Sequence, residues 1–161
     1  LILGYGNADR QDDGVAWHVL KTIMQRSGLS VTDELDIDFQ DDQNNIDYIY
    51  QLQLVPEIAY DLNKYDRVCF IDAHTGAVPE KIHFEVIQPG FQKSPFTHHL
   101  TAASLISIYE TLHNISIEAV IVSIRGYHFG FSRSLSESTS KLVENAVDVI
   151  EKWIESPQKV K

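Results

Sequence analysis

A three-layer α/β/α sandwich, built on a mostly parallel, twisted sheet of about five strands, is the fold this sequence predicts. Three observations carry that expectation. Short apolar runs alternate along the chain with segments whose apolar residues recur at helical spacing, in the order strand, helix, strand, helix, strand, strand, helix, strand, helix. The runs Val-Cys-Phe-Ile (68–71) and Val-Ile-Val (120–122) are apolar at every position, as strands covered on both faces require. The 161 residues contain no internal repeat and no low-complexity linker, so one domain over 1–161 with a substantial core is expected.

Residues 1–5 (LILGY) read as a first strand cut by glycine. Val15, Ala16, Val19, Leu20 and Ile23 then fall on one helical face, predicting a helix over 13–27 with Gly28 just past its end. Asp12 is a natural N-cap for it, and an acid in its first turn suits the helix dipole. The acidic stretch TDELDIDFQDDQNN (32–45) has few helix signals and is expected to be an extended or loop-rich insertion. Ile46, Tyr48, Tyr50, Leu52 and Leu54 alternate, predicting a strand over 45–54. Pro56 suits the first turn of a helix over 56–65. The next strand, 68–71, ends at Asp72, and Ile82, Phe84 and Val86 mark another over 81–87. After a loop containing proline and glycine, Thr97 is the expected cap of a helix over 98–113. A strand over 118–124 follows, then the loop RGYHFGFSRSLS (125–136). Ser134 with Glu137 fits a capping box that opens a last amphipathic helix through Trp153.

Composition narrows the function. Thirteen basic against 23 acidic residues give a formal charge of −10 and a pI near 5.0. That lacks the basic footprint of sequence-independent nucleic-acid binding. Cys69 is the single cysteine, so no disulfide forms within the chain and no thiolate cluster holds a metal; a buried, inert thiol is expected. No apolar stretch reaches membrane-spanning length and no signal-peptide pattern is visible, so neither membrane nor export is expected and the cytoplasm is the default location.

In an open α/β sheet, ligands gather beyond the carboxyl ends of the strands. Asp12 and Asp13 follow the first predicted strand, Asp72 ends the third, and His98 and His99 open a predicted helix. Two carboxylates and an imidazole on one rim suit a borderline divalent cation such as zinc or nickel, with positions left open for substrate or water. Local roles compete with this one. Capping alone explains Asp12, and the helix dipole explains Asp13. Asp72 is harder to explain locally, because a carboxylate at the mouth of a buried strand is costly unless solvated, hydrogen-bonded or bound. A phosphate cradle at GYGNADRQDDG fails, since the third glycine is missing and acids stand where an anion would bind. Neither a G-x-S-x-G elbow nor an H-E-x-x-H helix occurs.

With these residues in view, the chain resembles the hydrogenase maturation proteases, which remove the C-terminal tail from the large-subunit precursor of nickel–iron hydrogenases. LGYGNADRQDDGVA resembles that family's G-x-G-N, four variable residues, then D-[D/E]-G. FIDA (70–73) resembles its strand-ending aspartate, and THHLTAASLI (97–106) its histidine-led helix. IRGYHFGFSRSLS (124–136) is similar to the branch serving soluble or bidirectional, NAD(P)-linked hydrogenases. Departures are visible too: Ala8-Asp9 replaces the commoner Pro-Leu, and Gln11 and Ala16 stand where glycine is usual.

The resemblance implies an aspartyl-type endopeptidase, expected to be a monomer, with Asp13 and Asp72 as catalytic residues. It places metal contacts on Asp13, Asp72 and His98, with His99 as the alternative third ligand. The nickel would belong to the substrate, seated in the precursor and used to recognise it. Asp12 would support the turn that holds Asp13, and Arg125, Tyr127 and His128 would grip the partner. Two other readings keep the same residues: a metallohydrolase with its own zinc, and a chaperone-like binder of the large subunit that does not cleave.

Overall fold

The computed structural model describes residues 1–90 and 100–157. Six strands form one sheet: β1 (Ile2–Tyr5), β2 (Asp38–Asp41), β3 (Ile46–Gln51), β4 (Arg67–His74), β5 (Ile82–Val86) and β6 (Glu118–Arg125). Their order is β2-β3-β1-β4-β6-β5. The four central strands are mutually parallel, and β2 and β5 pair antiparallel at the two edges. The strand beyond the expected five is β2, which arises from the acidic insertion.

Alternation along the central strands divides the core. Ile2, Cys69, Ile71, Val120 and Val122 face α1 (Val15–Arg26) and α5 (Val143–Glu155). Leu3, Val68, Phe70 and Ala119 face α2 (Ile58–Asp61) and α3 (Ala102–His113). All nine of these strand side chains are buried, so the sheet is covered on both faces. Burial pushes the Cys69 thiol up to about 12, the inert thiol expected. Arg26 ties α1 to α5 through Glu144, Asp148 and Glu151. Among the described residues no helix is long and apolar enough to cross a membrane.

Several boundaries differ from the expected ones, each for a local reason. Asp12 does not cap α1; it lies inside a 3-10 turn, Gln11–Gly14, that feeds the helix. The strand expected over 45–54 stops at Gln51, leaving Leu52 63% exposed. The helix expected over 56–65 is only α2 followed by a 3-10 turn, Leu62–Lys64. β4 runs on through Asp72 to His74, because β6 continues to pair with it as far as Arg125. α3 starts after Thr101, whose side chain accepts the Ser104 N–H, so Thr101 rather than Thr97 is the cap. Ser136, not Ser134, opens the short helix α4 (Glu137–Ser140), because its hydroxyl accepts the Thr139 N–H. The chain then pauses at Lys141 and Leu142 before α5. Thr97, His98 and His99 lie outside the described residues.

Candidate active site

β1 lies between β3 and β4, and the chain leaves it in one direction before crossing to the other. That reversal opens a crevice at the carboxyl ends of β1 and β4. Asp72 stands on the β4 side, opposite Ser123 of β6, one residue past the last β1–β4 pair, Gly4 with Ile71. Tyr5 and Gly6 leave β1 at the same level.

Asp13 is carried on the turn that follows. Gly6 has φ +138°, and a Cβ there would lie 2.1 Å from the Asp13 carbonyl oxygen. The chain can therefore fold this tightly only with glycine. The Asn7 N–H donates to the Asp13 carboxylate at 3.1 Å, and the Arg10 guanidinium lies 3.8 Å from the same oxygen. The Tyr50 phenol of β3 donates to the Gly6 carbonyl at 2.6 Å and closes the turn from the other side. Gln11, where the resembling family frequently has glycine, adopts φ +54°, and its N–H donates to the Ser132 carbonyl at 2.7 Å.

Asp72 senses both its burial and the neighbouring acid. Desolvation is the main cause that pushes Asp72 up to about 7, and the charge of Asp13 adds to it. The Ala73 N–H, 2.7 Å from Asp72, and the Tyr5 phenol act in the opposite direction. Tyr5 is itself raised well above the ordinary phenol range, by burial and then by Asp72. Tyr50 is raised as well, by burial and then chiefly by Asp13. Asp72 is thus poorly solvated as a carboxylate, and a cation arriving beside it would favour its charged form.

Beside Asp72 a groove of about 530 Å³ runs between β4, β6 and the start of α3, lined by Tyr5, Glu85, Leu100, Thr101 and Ile121. Leu100, which follows His98 and His99 in sequence, is part of this lining. Gly90, on the other side of that segment, is held to the first turn of α3 by its N–H to the Ala103 carbonyl at 3.4 Å. Among the described residues no group of three histidine, cysteine or carboxylate side chains forms a metal site. Asp13 and Asp72 are the two expected ligands that the structure brings to one rim, while both candidate imidazoles fall outside the described residues.

Asp12 has a role that its neighbourhood in sequence conceals. It is fully buried, and its carboxylate accepts from the backbone of Tyr127, His128 and Ser136 and from the Ser136 hydroxyl. Burial alone would raise it, but these hydrogen bonds prevail and hold it down at about 2. Of the residues expected to grip a partner, Arg125 lies with its guanidinium 5.4 Å from the Tyr127 ring centre, and Tyr127 and His128 are exposed. Tyr5, Tyr50 and Glu85 were not singled out by the sequence. The one available signal was Tyr5 standing between two glycines at a strand end.

No protein-family model matches the chain, and no curated protein sequence matches it. Solved structures do. HybD from Escherichia coli, a hydrogenase maturating endopeptidase, superposes with a TM-score of 0.71 at 14% identity, over 95% of this chain and 90% of that one. The [NiFe] hydrogenase maturation protease HycI from Thermococcus kodakarensis gives 0.63 at 17% identity, over 96% and 91%. The fold is that of the hydrogenase maturation proteases. HycI from Escherichia coli, an endopeptidase, agrees at 0.63 and 18%, over 95% and 89%. The hydrogenase maturation protease fold thus spans almost the whole chain.

The state of Asp72 has a measurable consequence. In an unfolded chain its carboxyl titrates near about 4. The folded protein holds the proton up to about 7. Between those two values the unfolded state binds fewer protons, so stability falls as the pH rises from about 4 to about 7 and is flat above. Asp72→Asn removes that penalty. The variant is expected to melt at the wild-type temperature at pH 4 and several degrees above it at pH 8, measured by calorimetry. Equal melting temperatures at both pH values would show that the carboxyl is not desolvated.

Proposed function

We propose that this protein is an aspartyl-type endopeptidase that removes the C-terminal tail from the large-subunit precursor of a nickel–iron hydrogenase, recognising the nickel that the precursor already carries. One observation supports the reading: Asp13, on the turn after β1, lies close enough to Asp72 of β4 for its charge to raise that carboxyl, in a fold shared with maturation endopeptidases. Desolvation, with the charge of Asp13 added to it, leaves Asp72 short of counter-charge. Two carboxylates on rigid strand ends, with His98 (or His99) as the third donor, would complete a partly filled nickel shell. A precursor without nickel offers no such anchor, so cleavage waits for metal insertion. Hydrolysis then requires water to add to the scissile carbonyl carbon and the C–N bond to break. A carboxylate takes the proton from the water and returns it to the leaving amine. The cytoplasm, where the precursor is made and loaded, is the location this reading implies, and a single copy of the chain suffices for the site.

The test is to incubate the protein with nickel-loaded and nickel-free precursor and to follow the product masses. Removal of the tail from the loaded form alone is expected. Equal cutting of both forms, or of neither, would overturn the reading. Tightly held zinc in the purified protein, with hydrolysis of small substrates, would point instead to a metallohydrolase.

A further inference from the structure

The loop that follows β6 is pinned to the turn carrying Asp13 by one buried charge. The Asp12 carboxylate accepts the N–H groups of Tyr127 and His128 at 2.8 Å each, and the N–H and hydroxyl of Ser136 at 2.7 Å each. The backbones are stitched as well. Asp12 N–H donates to the His128 carbonyl at 3.1 Å, Gln11 N–H to Ser132 at 2.7 Å, and Ser132 N–H returns to Asp9 at 3.1 Å. Arg10 pairs with Ser132 in an isolated bridge, and the Arg10 side chain reaches Asp13. At Gly126 a Cβ would meet both the Phe129 ring and the Asp12 Cβ, so Phe129 is the aromatic ring that packs locally.

Phe131 does the opposite. It is 99% exposed, on a loop whose Tyr127 is also exposed, and the backbone on either side of it is held at Tyr127 and His128 and at Ser132. A fully hydrated phenylalanine forgoes the transfer free energy that burial would recover. An exposed ring on a mobile loop would need no explanation. A ring held out on a pinned backbone has already met the backbone part of the ordering cost of docking, and such aromatic anchors are where interface energy concentrates.

We infer that residues 127–132 form a docking arm for the folded body of the hydrogenase precursor, Phe131 entering an apolar recess of that protein, and that Asp12 is the positioning residue that sets this arm relative to Asp13. The partner follows from continuity. The arm is stitched to residues 9–12, immediately before Asp13, so whatever presents a scissile bond and a metal to the carboxylates also lies against Phe131. The inference rests on the function proposed above.

Initial rates of tail removal, measured against the concentration of nickel-loaded precursor, separate the two ideas. Phe131→Ser is expected to raise KM about tenfold with kcat within twofold and an unchanged melting temperature. Phe131→Trp should restore most of the loss. Asp12→Asn must aim an amide donor at N–H donors, so it should also raise KM, and adding Phe131→Ser to it should raise KM little further. Leu112→Ser, an exposed apolar position on α3, is the control and should behave as wild type. Wild type that cuts, with Phe131→Ser at wild-type KM or reduced only in kcat, overturns the arm and leaves the proposed function standing. An unchanged KM in Asp12→Asn overturns the positioning role. Wild type that leaves the loaded precursor intact overturns the function, and the arm with it.

Discussion

Asp13→Asn is expected to abolish tail removal, lowering the rate on nickel-loaded precursor by about a thousandfold or more, while the melting temperature stays within a few degrees of wild type. The separation follows from the contacts. Asp13 accepts one backbone hydrogen bond, from Asn7, and lies at the edge of reach of Arg10. An asparagine carbonyl oxygen can still accept the Asn7 N–H, so the turn survives. It offers no charge to a divalent cation and no base to a water molecule. Gel-shift or mass analysis of the precursor reads the first effect, and calorimetry reads the second. A variant that still cuts at more than about a tenth of the wild-type rate would remove Asp13 from the chemistry. One that binds the loaded precursor without cutting it, beside a wild type that also never cuts, would favour the non-catalytic binder.

Gly6→Ala is expected to cost about 3 kcal/mol or more and to take the activity with it. The backbone there has φ +138°, and the new methyl carbon would lie 2.1 Å from the Asp13 carbonyl oxygen. Nothing flexible is available to yield, since the obstacle is backbone and the Tyr50 phenol holds the Gly6 carbonyl from behind. Relief requires moving residues 6–13 as a unit, which carries Asp13 away from Asp72. Urea denaturation should show a lower midpoint with an unchanged slope. A variant with wild-type stability and rate would mean that the turn is far softer than its geometry implies.

Much of this architecture was legible in the sequence because most of its central elements carry their own period. The helical stripe from Val15 to Ile23 and the all-apolar runs of β4 and β6 needed no knowledge of their neighbours. Asp72 was legible for the same reason, as an acid at the end of a run that tolerates none. β2 was not read as a strand, although Ile37 and Phe39 alternate, because charge dominates the stretch. Its turn chemistry was also present: the Asp41 carboxylate accepts from Gln43 and Asn44, and Asn45 takes φ +57° to lead into β3. An edge strand facing water can be that acidic, since only one of its sides is paired. The neighbourhood of Tyr5 and Asp72 depends on which strands pair, and no local pattern encodes that. Asp12 misled for a subtler reason. A local rule accounted for it fully, while the partners that decide its role lie 115 to 124 residues away.

That separation sets an order of events during synthesis. The donors that hold Asp12 arrive only with Tyr127, His128 and Ser136, 115 to 124 residues after Asp12 itself has been made. Until they emerge from the ribosome, the carboxylate stays hydrated and the turn beside it lacks its frame. The turn that carries Asp13 is therefore framed only when the loop that follows β6 closes over the loop that follows β1.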